Sequence, residues 1–216
     1  MSQFGTVYGV ILNVQGALEA LGEAVHVAPY KAPPKAPVLY IKPANTFLVG
    51  GGAVGIPDGV EDLEVQPTLG LVFGRTATRV SEADALSHVA GFVPAIDVCL
   101  PHASVYRPAI RQRCRDGFLP LGAVAAPVSG AVEVRVKING KDAGGFSTGE
   151  LVRAIPRLIA DVTDFLTLSP GDVLLVGLGL GSPRAKAGDE VAAGLSGVGK
   201  VSCTITPEAQ IQERAA

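Results

Sequence analysis

Short apolar segments separated by stretches that contain Gly and Pro are the feature that most restricts how this chain can fold. The segments are rich in β-branched residues, a composition typical of buried strands. The 27 Gly and 16 Pro residues place turns between them. The clearest segments are residues 4–14, 38–42, 68–74, 92–98 and 131–138. The pattern predicts many short strands joined by tight turns rather than a helical bundle.

Helical signals are few and short. One amphipathic helix is predicted near 155–166, because apolar residues recur there at the spacing of one helix face. A short helix is also predicted over 16–26, and another after Ser81, where Gly91 would end it. We expect a single β-rich α+β domain over residues 1–206, followed by a polar tail over 207–216.

Local motifs mark two further boundaries. The Asn139-Gly140 pair is typical of a two-residue hairpin turn between strands. The segment from Ser147 to Glu150 matches a capping box. Residues 30–37 carry closely spaced prolines, which fix φ and favour extended backbone, so no regular element is predicted there.

Composition excludes several classes of protein. The formal net charge of -2 offers no basic excess for nucleic-acid binding. The sequence contains no run of about 18 apolar residues, so no membrane span is predicted. The N-terminus lacks the pattern of a secretory signal. Three unpatterned Cys residues are typical of reduced thiols, which predicts a cytoplasmic location.

Residues 97–122 collect most of the unusual side chains. Asp97 follows an apolar strand, and His102 and Tyr106 come shortly after it. Four arginines follow closely: Arg107, Arg111, Arg113 and Arg115. Such a segment forms either the wall of an anion-binding cleft or a solvated helix face, and the residues alone leave both interpretations open.

Lys42 and His102 are the catalytic candidates. Lys42 lies in an otherwise apolar strand, where a buried charge is costly unless it is paired; a snorkelling surface lysine is the alternative. His102 is five residues beyond Asp97 and could act as a general base, although a hydrogen-bonded loop histidine has the same appearance in sequence. Cys99 and Cys114 are interpreted as packing thiols.

Longer motifs carry a family resemblance over nearly the whole chain. They are YIKPANT near residue 40, LGLVFGRTATRVSEADAL, GFVPAIDV, RDGFLPLG and LSPGDVLLVG. In this order they resemble the fumarylacetoacetate hydrolase superfamily. The resemblance implies a fold of mixed sheets with a few short helices, often dimeric, and activity on 2-oxo or 1,3-dicarbonyl acids.

A narrower resemblance is carried by PYKAPPKAP, YIKPANT and YRPAIRQRCRDGF. These stretches are similar to the N-terminal half of the bifunctional decarboxylase/isomerases of 4-hydroxyphenylacetate degradation. The resemblance implies a separately encoded first half that acts on 5-carboxymethyl-2-oxo-hex-3-ene-1,7-dioate and its dienol product in aromatic catabolism. A small 2-oxo di- or tricarboxylate is then the expected substrate class.

The superfamily implies an Mg or Mn site made of a Glu-x-Glu pair and a later Asp. In this sequence those positions fall on Gln66, Thr68 and Asp97, so only Asp97 is acidic. The nearby acids Glu61, Asp62 and Glu64 are interpreted as a solvated acidic turn. We therefore expect this chain alone not to bind the metal, and expect either a homologous metal-bearing partner subunit or a homodimer.

Other departures from the family pattern concern the chemistry. The Asp/Glu-His pair of catalytic members is absent from the run that begins at Asn13, and the loop Val176–Gly179 differs as well. Arg113 stands where the family has Lys; it can bind a carboxylate but cannot act as a base near neutral pH. Lys42, Tyr106 and Arg113 are the candidate substrate contacts, because side chains of these types can bind a carboxylate. A non-catalytic structural paralogue and an independent 2-oxo-acid decarboxylase or hydrolase with a rebuilt site remain the alternatives.

Overall fold

The computed structural model of the chain describes residues 4–28, 31–102 and 109–215, the last four of these by their backbone alone. Thirteen strands form within these ranges: β1 Val7–Ile11, β2 Val38–Lys42, β3 Phe47–Val49, β4 Gly52–Ile56, β5 Leu63–Phe73, β6 Val89–Cys99, β7 Leu119–Leu121, β8 Glu133–Ile138, β9 Lys141–Ser147, β10 Val173–Leu175, β11 Arg184–Ala185, β12 Glu190–Leu195 and β13 Gly199–Pro207. The α-helices are α1 Gln15–Glu19, α2 Ile110–Arg113, α3 Ile155–Thr163 and α4 Glu208–Ala215. The predicted fold of mixed sheets and few short helices is confirmed.

The strands form two sheets. The larger has the order β2-β1-β10-β5-β6-β7-β3, with β11 paired to β5, and the smaller has the order β4-β13-β12-β8-β9. Both are mixed, because β1–β10, β3–β7 and β13–β4 are parallel pairs while the remaining pairs are antiparallel. The 11-residue strands β5 and β6 form the longest ladder of the larger sheet.

The two faces of the β5–β6 ladder bury different side chains. One face packs against the smaller sheet in the main core, and its residues include Leu63, Val65, Leu69, Leu71, Ile96 and Val98. The opposite face carries a second apolar cluster around Val72, Val93 and Ala95. Because side chains alternate along a strand, Glu64, Gln66, Thr68, Asp97 and Cys99 belong to this second face. The ladder is therefore apolar on one side and largely polar on the other.

The helical and turn predictions are met unevenly. Helix α3 coincides with the predicted amphipathic segment and buries Leu158, Ile159 and Val162. Asn139 and Gly140 form the two-residue turn between β8 and β9, with φ of 50° and 77°. The capping box of Ser147 and Glu150 is formed, although it begins a short 3-10 turn.

The expectation that Gly91 ends a helix is wrong. A 3-10 turn at Ala85–His88 leads directly into β6, so Gly91 lies inside a strand. A Cβ at this position would lie 2.8 Å from the carbonyl oxygen of Ala125, because the backbone of residue 125 bridges to Phe92. Close backbone approach, rather than helix termination, explains this glycine.

Residues 207–215 form more than the polar tail expected from the sequence. The segment contains the end of β13 and then α4, with Ile211 directed towards the backbone of Gly55. Glu208 accepts a hydrogen bond of 2.7 Å from Arg115, which secures the start of the helix. Among the described helices, none is long and apolar enough to cross a membrane.

Candidate functional site

The polar face of the β5–β6 ladder brings together the three positions that the family resemblance assigns to the metal. The antiparallel register pairs Glu64 with Cys99, Gln66 with Asp97 and Thr68 with Ala95. All of these side chains are buried or nearly so. Each antiparallel rung places two side chains about 5 Å apart on one face, so the register fixes which groups can act together.

Asp97 is neutralised by two cations of this chain. Its Oδ1 lies 3.0 Å from Lys42 Nζ and 3.1 Å from an Arg113 guanidinium nitrogen, and its Oδ2 accepts a hydrogen bond from the Tyr40 hydroxyl. The guanidinium also lies over the Tyr40 ring, 4.9 Å from its centroid. We call Tyr40, Lys42, Asp97 and Arg113 the Asp97 cluster.

The charges of the Asp97 cluster shift the pKa values of its members. Burial alone would raise the pKa of Asp97, but the charges of Lys42 and Arg113 outweigh it and lower the pKa below the usual 3.8. Burial lowers the pKa of Lys42, although Asp97 opposes that shift. Burial, reinforced by the negative charge of Asp97, raises the pKa of Tyr40. Asp97 is therefore a carboxylate held by fixed positive groups.

Lys42 connects several segments of backbone. Its ammonium lies 2.8 Å from the carbonyl oxygen of Val98, 2.9 Å from that of Arg113 and 3.0 Å from that of Phe118, in addition to Asp97. Four oxygens thus surround three N–H donors, and the side chain is fully buried. The interpretation as a snorkelling surface lysine is wrong. A direct contact between Lys42 and a ligand would require this network to open.

Arg113 has more N–H donors available to a ligand than Lys42. Within the described residues its guanidinium hydrogen-bonds Asp97 alone, and it has five N–H donors. The neighbouring arginines do not join it: Arg111 is exposed, and Arg115 is bound to Glu208. Tyr106 and Arg107 lie outside the described residues, so the predicted cleft wall is described only at Arg113.

The residues at the family's metal positions do not fit an Mg or Mn ion. The hydroxyl of Thr68 donates to the carbonyl of Gly177 at 2.7 Å, and the Gln66 amide nitrogen donates to Ser182 Oγ at 3.0 Å. The remaining carboxylate, Asp97, is already paired with two cations. Hard divalent ions require several carboxylate or carbonyl oxygens. Gln66 Oε1 has no hydrogen-bond partner among the described residues, but one neutral oxygen does not replace two carboxylates.

Asn13 has a structural position. Its amide nitrogen donates to the carbonyls of Val176 and Arg153 at 2.8 and 3.3 Å, and its Oδ1 accepts the Arg153 amide at 3.0 Å. The side chain therefore ties β1 to the end of β10 and to the segment before α3. No acid or histidine follows it in sequence to form the family's catalytic pair.

A second polar cluster lies on the adjacent rung, and sequence reasoning missed it. Glu64, Cys99 and His102 present carboxylate, thiol and imidazole atoms that all lie within 4.8 Å of one another. The Cys99 sulfur is 3.4 Å from His102 Nδ1, and each lies near the Leu100 carbonyl oxygen, at 3.1 and 3.2 Å. We call these three residues the Cys99 cluster.

The interpretation of Glu64 as part of a solvated acidic turn is wrong. Strand β5 begins at Leu63, so Glu64 is buried in the ladder, whereas Glu61 and Asp62 precede the strand and form ion pairs with Lys186 and Arg184. Burial raises the pKa of the Cys99 thiol to about 12. The spacing Cys99-x-x-His102 is visible in sequence, but its pairing with Glu64 depends on the strand register.

Comparison with known proteins agrees with this architecture. A family model described as fumarylacetoacetate hydrolase, C-terminal, matches residues 6–206. The 4-hydroxyphenylacetate degradation bifunctional isomerase/decarboxylase of Escherichia coli is 38% identical over 211 residues, which cover 97% of this chain and 49% of that protein. The chain thus spans about half the length of this relative.

Solved structures share the fold. A 5-carboxymethyl-2-hydroxymuconate delta-isomerase from Mycobacterium smegmatis matches with a TM-score of 0.80 and 25% identity, covering 95% of this chain and 80% of that one. A fumarylpyruvate hydrolase from Pseudomonas aeruginosa, solved in complex with Mn2+ and pyruvate, has a TM-score of 0.80 at 17% identity and covers 95% and 91%. The match of the family model over most of the chain and the bacterial relative establish that this chain belongs to the fumarylacetoacetate hydrolase family.

Proposed function

We propose that this chain is a supporting unit of a decarboxylase/isomerase in 4-hydroxyphenylacetate catabolism. It would act on 5-carboxymethyl-2-oxo-hex-3-ene-1,7-dioate and its dienol product together with a homologous unit that holds Mg or Mn. The observation that carries the proposal is the neutralised Asp97: the one remaining acid of the family's metal set is bound to Lys42 and Arg113. The similarity to half of a bifunctional isomerase/decarboxylase supports the reaction class.

The proposed reaction follows from the substrate's conjugation. The bond from carbon to one carboxylate breaks, CO2 leaves, and the electron pair moves into the 2-oxo-enone; a proton taken up at oxygen completes the dienol. Transfer of the proton from the hydroxyl oxygen of the dienol to carbon then gives the 2-oxo-3-ene isomer. Both steps place negative charge next to the 2-oxo acid, so cationic groups at fixed positions favour them.

In this scheme Arg113 binds a substrate carboxylate. A guanidinium offers two parallel N–H donors to a carboxylate, and the contact with Asp97 fixes its plane before a ligand arrives. Lys42 positions the cluster by holding Asp97 and three backbone carbonyls. Tyr106 is proposed as a further substrate contact.

The test is loss of the ultraviolet absorption of the decarboxylase substrate in the presence of Mg. The chain would be assayed alone and then mixed with a homologous unit that retains Glu-x-Glu and Asp. We expect activity only in the mixture, and we expect Arg113→Gln in this chain to raise KM more than it lowers kcat. Activity of the mixture that is unchanged by Arg113→Gln would identify this chain as a purely structural paralogue.

One observation favours a second candidate, an independent enzyme with a rebuilt site. The Cys99 cluster supplies metal-ligating groups that do not belong to the family's set. In that case this chain alone would consume a 2-oxo acid, and the activity would disappear with Cys99→Ser while surviving in Asp97→Asn.

A further inference from the structure

Three potential metal ligands of different chemistry meet at the end of the β5–β6 ladder. Glu64 and Cys99 form the last paired rung, and the chain beyond Cys99 brings His102 back towards the same point. Their ligand atoms all lie within 4.8 Å of one another. The three residues therefore form one cluster on one side of the sheet.

The carboxylate of Glu64 is poorly compensated in this position. Glu64 is only 7% exposed, and within the described residues its side chain makes one ion pair, with Arg184 at 3.6 Å. Arg184 is largely committed elsewhere, because it binds Asp62 at 2.7 Å. The Arg113 guanidinium, whose charge also acts on Glu64 and Cys99, adds compensation at longer range. A bound cation would give the buried carboxylate a direct partner.

We propose that Glu64, Cys99 and His102 bind a zinc ion at a site distinct from the family's Mg or Mn position. Sulfur, imidazole nitrogen and carboxylate oxygen are the ligand types of zinc, whereas Mg and Mn favour oxygen alone. Three protein ligands leave a fourth tetrahedral position for water or a substrate oxygen. His102 is only half-buried, so that position is accessible from the solvent side of the cluster.

A separate observation also points to a polar ligand on this face. Gln66 is 8% exposed, and its Oε1 has no partner among the described residues. It lies on the rung next to Glu64 and Cys99, on the same face of the sheet. A buried acceptor without a donor is unusual in a folded protein. A water bound at the open zinc position would provide a donor on this face.

Formation of the site requires a small contraction and the loss of one proton. Zinc bond lengths of about 2.0–2.3 Å place tetrahedral ligand atoms about 3.3–3.8 Å apart, so the widest separation in the cluster must close by roughly 1 Å. The zinc ion takes the place of the thiol proton, which is released to solvent. His102 Nδ1 lies 3.4 Å from the Cys99 sulfur and is the ring nitrogen placed to bind the ion, so the imidazole proton resides on the other ring nitrogen.

Metal binding to the full chain tests the proposal directly. The metal-free protein would be dialysed against Zn2+ and the bound metal counted, and then loaded with Co2+ to record the near-ultraviolet sulfur-to-metal charge-transfer band. We expect one metal per chain and a clear thiolate band. Cys99→Ser should abolish the band, whereas the matched control Cys114→Ser should retain it, because Cys114 lies outside the cluster.

A second variant keeps the test valid should Cys99→Ser fail to fold. His102 is half-buried and outside the strands, so His102→Ala is expected to fold and to bind Zn2+ at least about tenfold more weakly. Absence of a thiolate band in the wild-type chain, or unchanged zinc affinity in His102→Ala, would overturn the proposal. These measurements use metal alone, so their result is independent of the proposed decarboxylase/isomerase function.

Discussion

The Asp97 cluster and the Cys99 cluster occupy neighbouring rungs of one sheet face but differ in charge balance. In the former, a buried carboxylate meets two cations and a hydroxyl, all within this chain. In the latter, a buried carboxylate meets a thiol and an imidazole, with the Arg184 guanidinium at 3.6 Å and the charge of Arg113 acting from the neighbouring cluster. The two carboxylates stand on the same β5–β6 ladder, so the difference comes from the side chains that surround each of them.

This difference indicates what each cluster can do. The Asp97 cluster is internally compensated, and its central ammonium is surrounded by protein oxygens, so it stabilises the fold and leaves only Arg113 for a ligand. The Cys99 cluster instead brings together a carboxylate, a thiol and an imidazole, a set of groups that can bind a metal ion. Neighbouring rungs of one sheet face therefore carry an internally paired cluster and a cluster of potential metal ligands.

The largest effect is expected from Lys42→Met. The variant leaves Asp97 with one cation and removes the hydrogen-bond donor of three backbone carbonyls. Breaking a buried ion pair at one partner costs about 3–5 kcal/mol, so the free energy of unfolding should fall by about that amount. Urea denaturation monitored by circular dichroism measures it.

The matched control is Lys137→Met on strand β8, where the lysine is exposed. A surface substitution of this kind should change the free energy of unfolding by about 0.5 kcal/mol or less. A loss below about 1 kcal/mol for Lys42→Met would show that the Asp97 cluster does not stabilise the fold as described.

Asp97→Asn should change the pH dependence of stability. The folded-state pKa of Asp97 is lower than 3.8, so its ionised form favours the folded state above that pH, and the contribution is lost as the pH falls below it. In Asp97→Asn the free energy of unfolding should therefore fall less steeply as the pH is lowered. The slope should decrease by up to about 1.4 kcal/mol per pH unit, which is the limit for one proton. Urea denaturation midpoints of the wild type and the variant are compared between pH 2 and 6. Equal pH dependence in the two proteins would contradict the lowered pKa of Asp97.

Arg113→Lys retains the charge but removes the planar group that lies over Tyr40. We expect a loss of about 0.5–2 kcal/mol in the free energy of unfolding, the range of a desolvated cation–π contact. In the active mixture KM should rise while kcat stays near its original value, because binding rather than chemistry is affected. The exposed Arg111→Lys is the control, and an equal effect of both variants would exclude a special position for Arg113.

The sequence predicted strands β1, β2, β6 and β8, the hairpin at Asn139-Gly140 and helix α3 because these depend on local patterns, whereas the short strands β3 and β7 were not predicted. It also identified Lys42 as a charge that needs a partner. The partners were beyond its reach: three of the four oxygens around Lys42 are backbone carbonyls 56, 71 and 76 residues away. Every residue has a backbone carbonyl, so a sequence motif cannot show which carbonyls surround Lys42. Only the folded structure reveals this network.

Glu64 shows a different reason for failure. It follows Glu61 and Asp62, and a run of acids is normally solvated, yet the strand begins between them at Leu63. A shift of one or two residues in a strand boundary moves a carboxylate from solvent into the core. The Cys99 cluster could therefore not be predicted, although its Cys-x-x-His spacing stands in the sequence.

The smallest expected effect concerns Arg184, the cation that forms an ion pair with Glu64 of the Cys99 cluster. Its guanidinium lies 3.6 Å from Glu64, so it competes with a bound metal for that carboxylate. An ion pair of this exposure contributes about 0.2–1 kcal/mol, so Arg184→Gln should strengthen Zn2+ binding by at most about fivefold. Competition with a colorimetric chelator resolves a change of this size.

Arg157→Gln removes an ion pair with Glu82 instead and serves as the control. Weaker zinc binding in Arg184→Gln would mean that the guanidinium positions Glu64 for the metal rather than competing with it, and the charge balance that separates the two clusters would have to be revised.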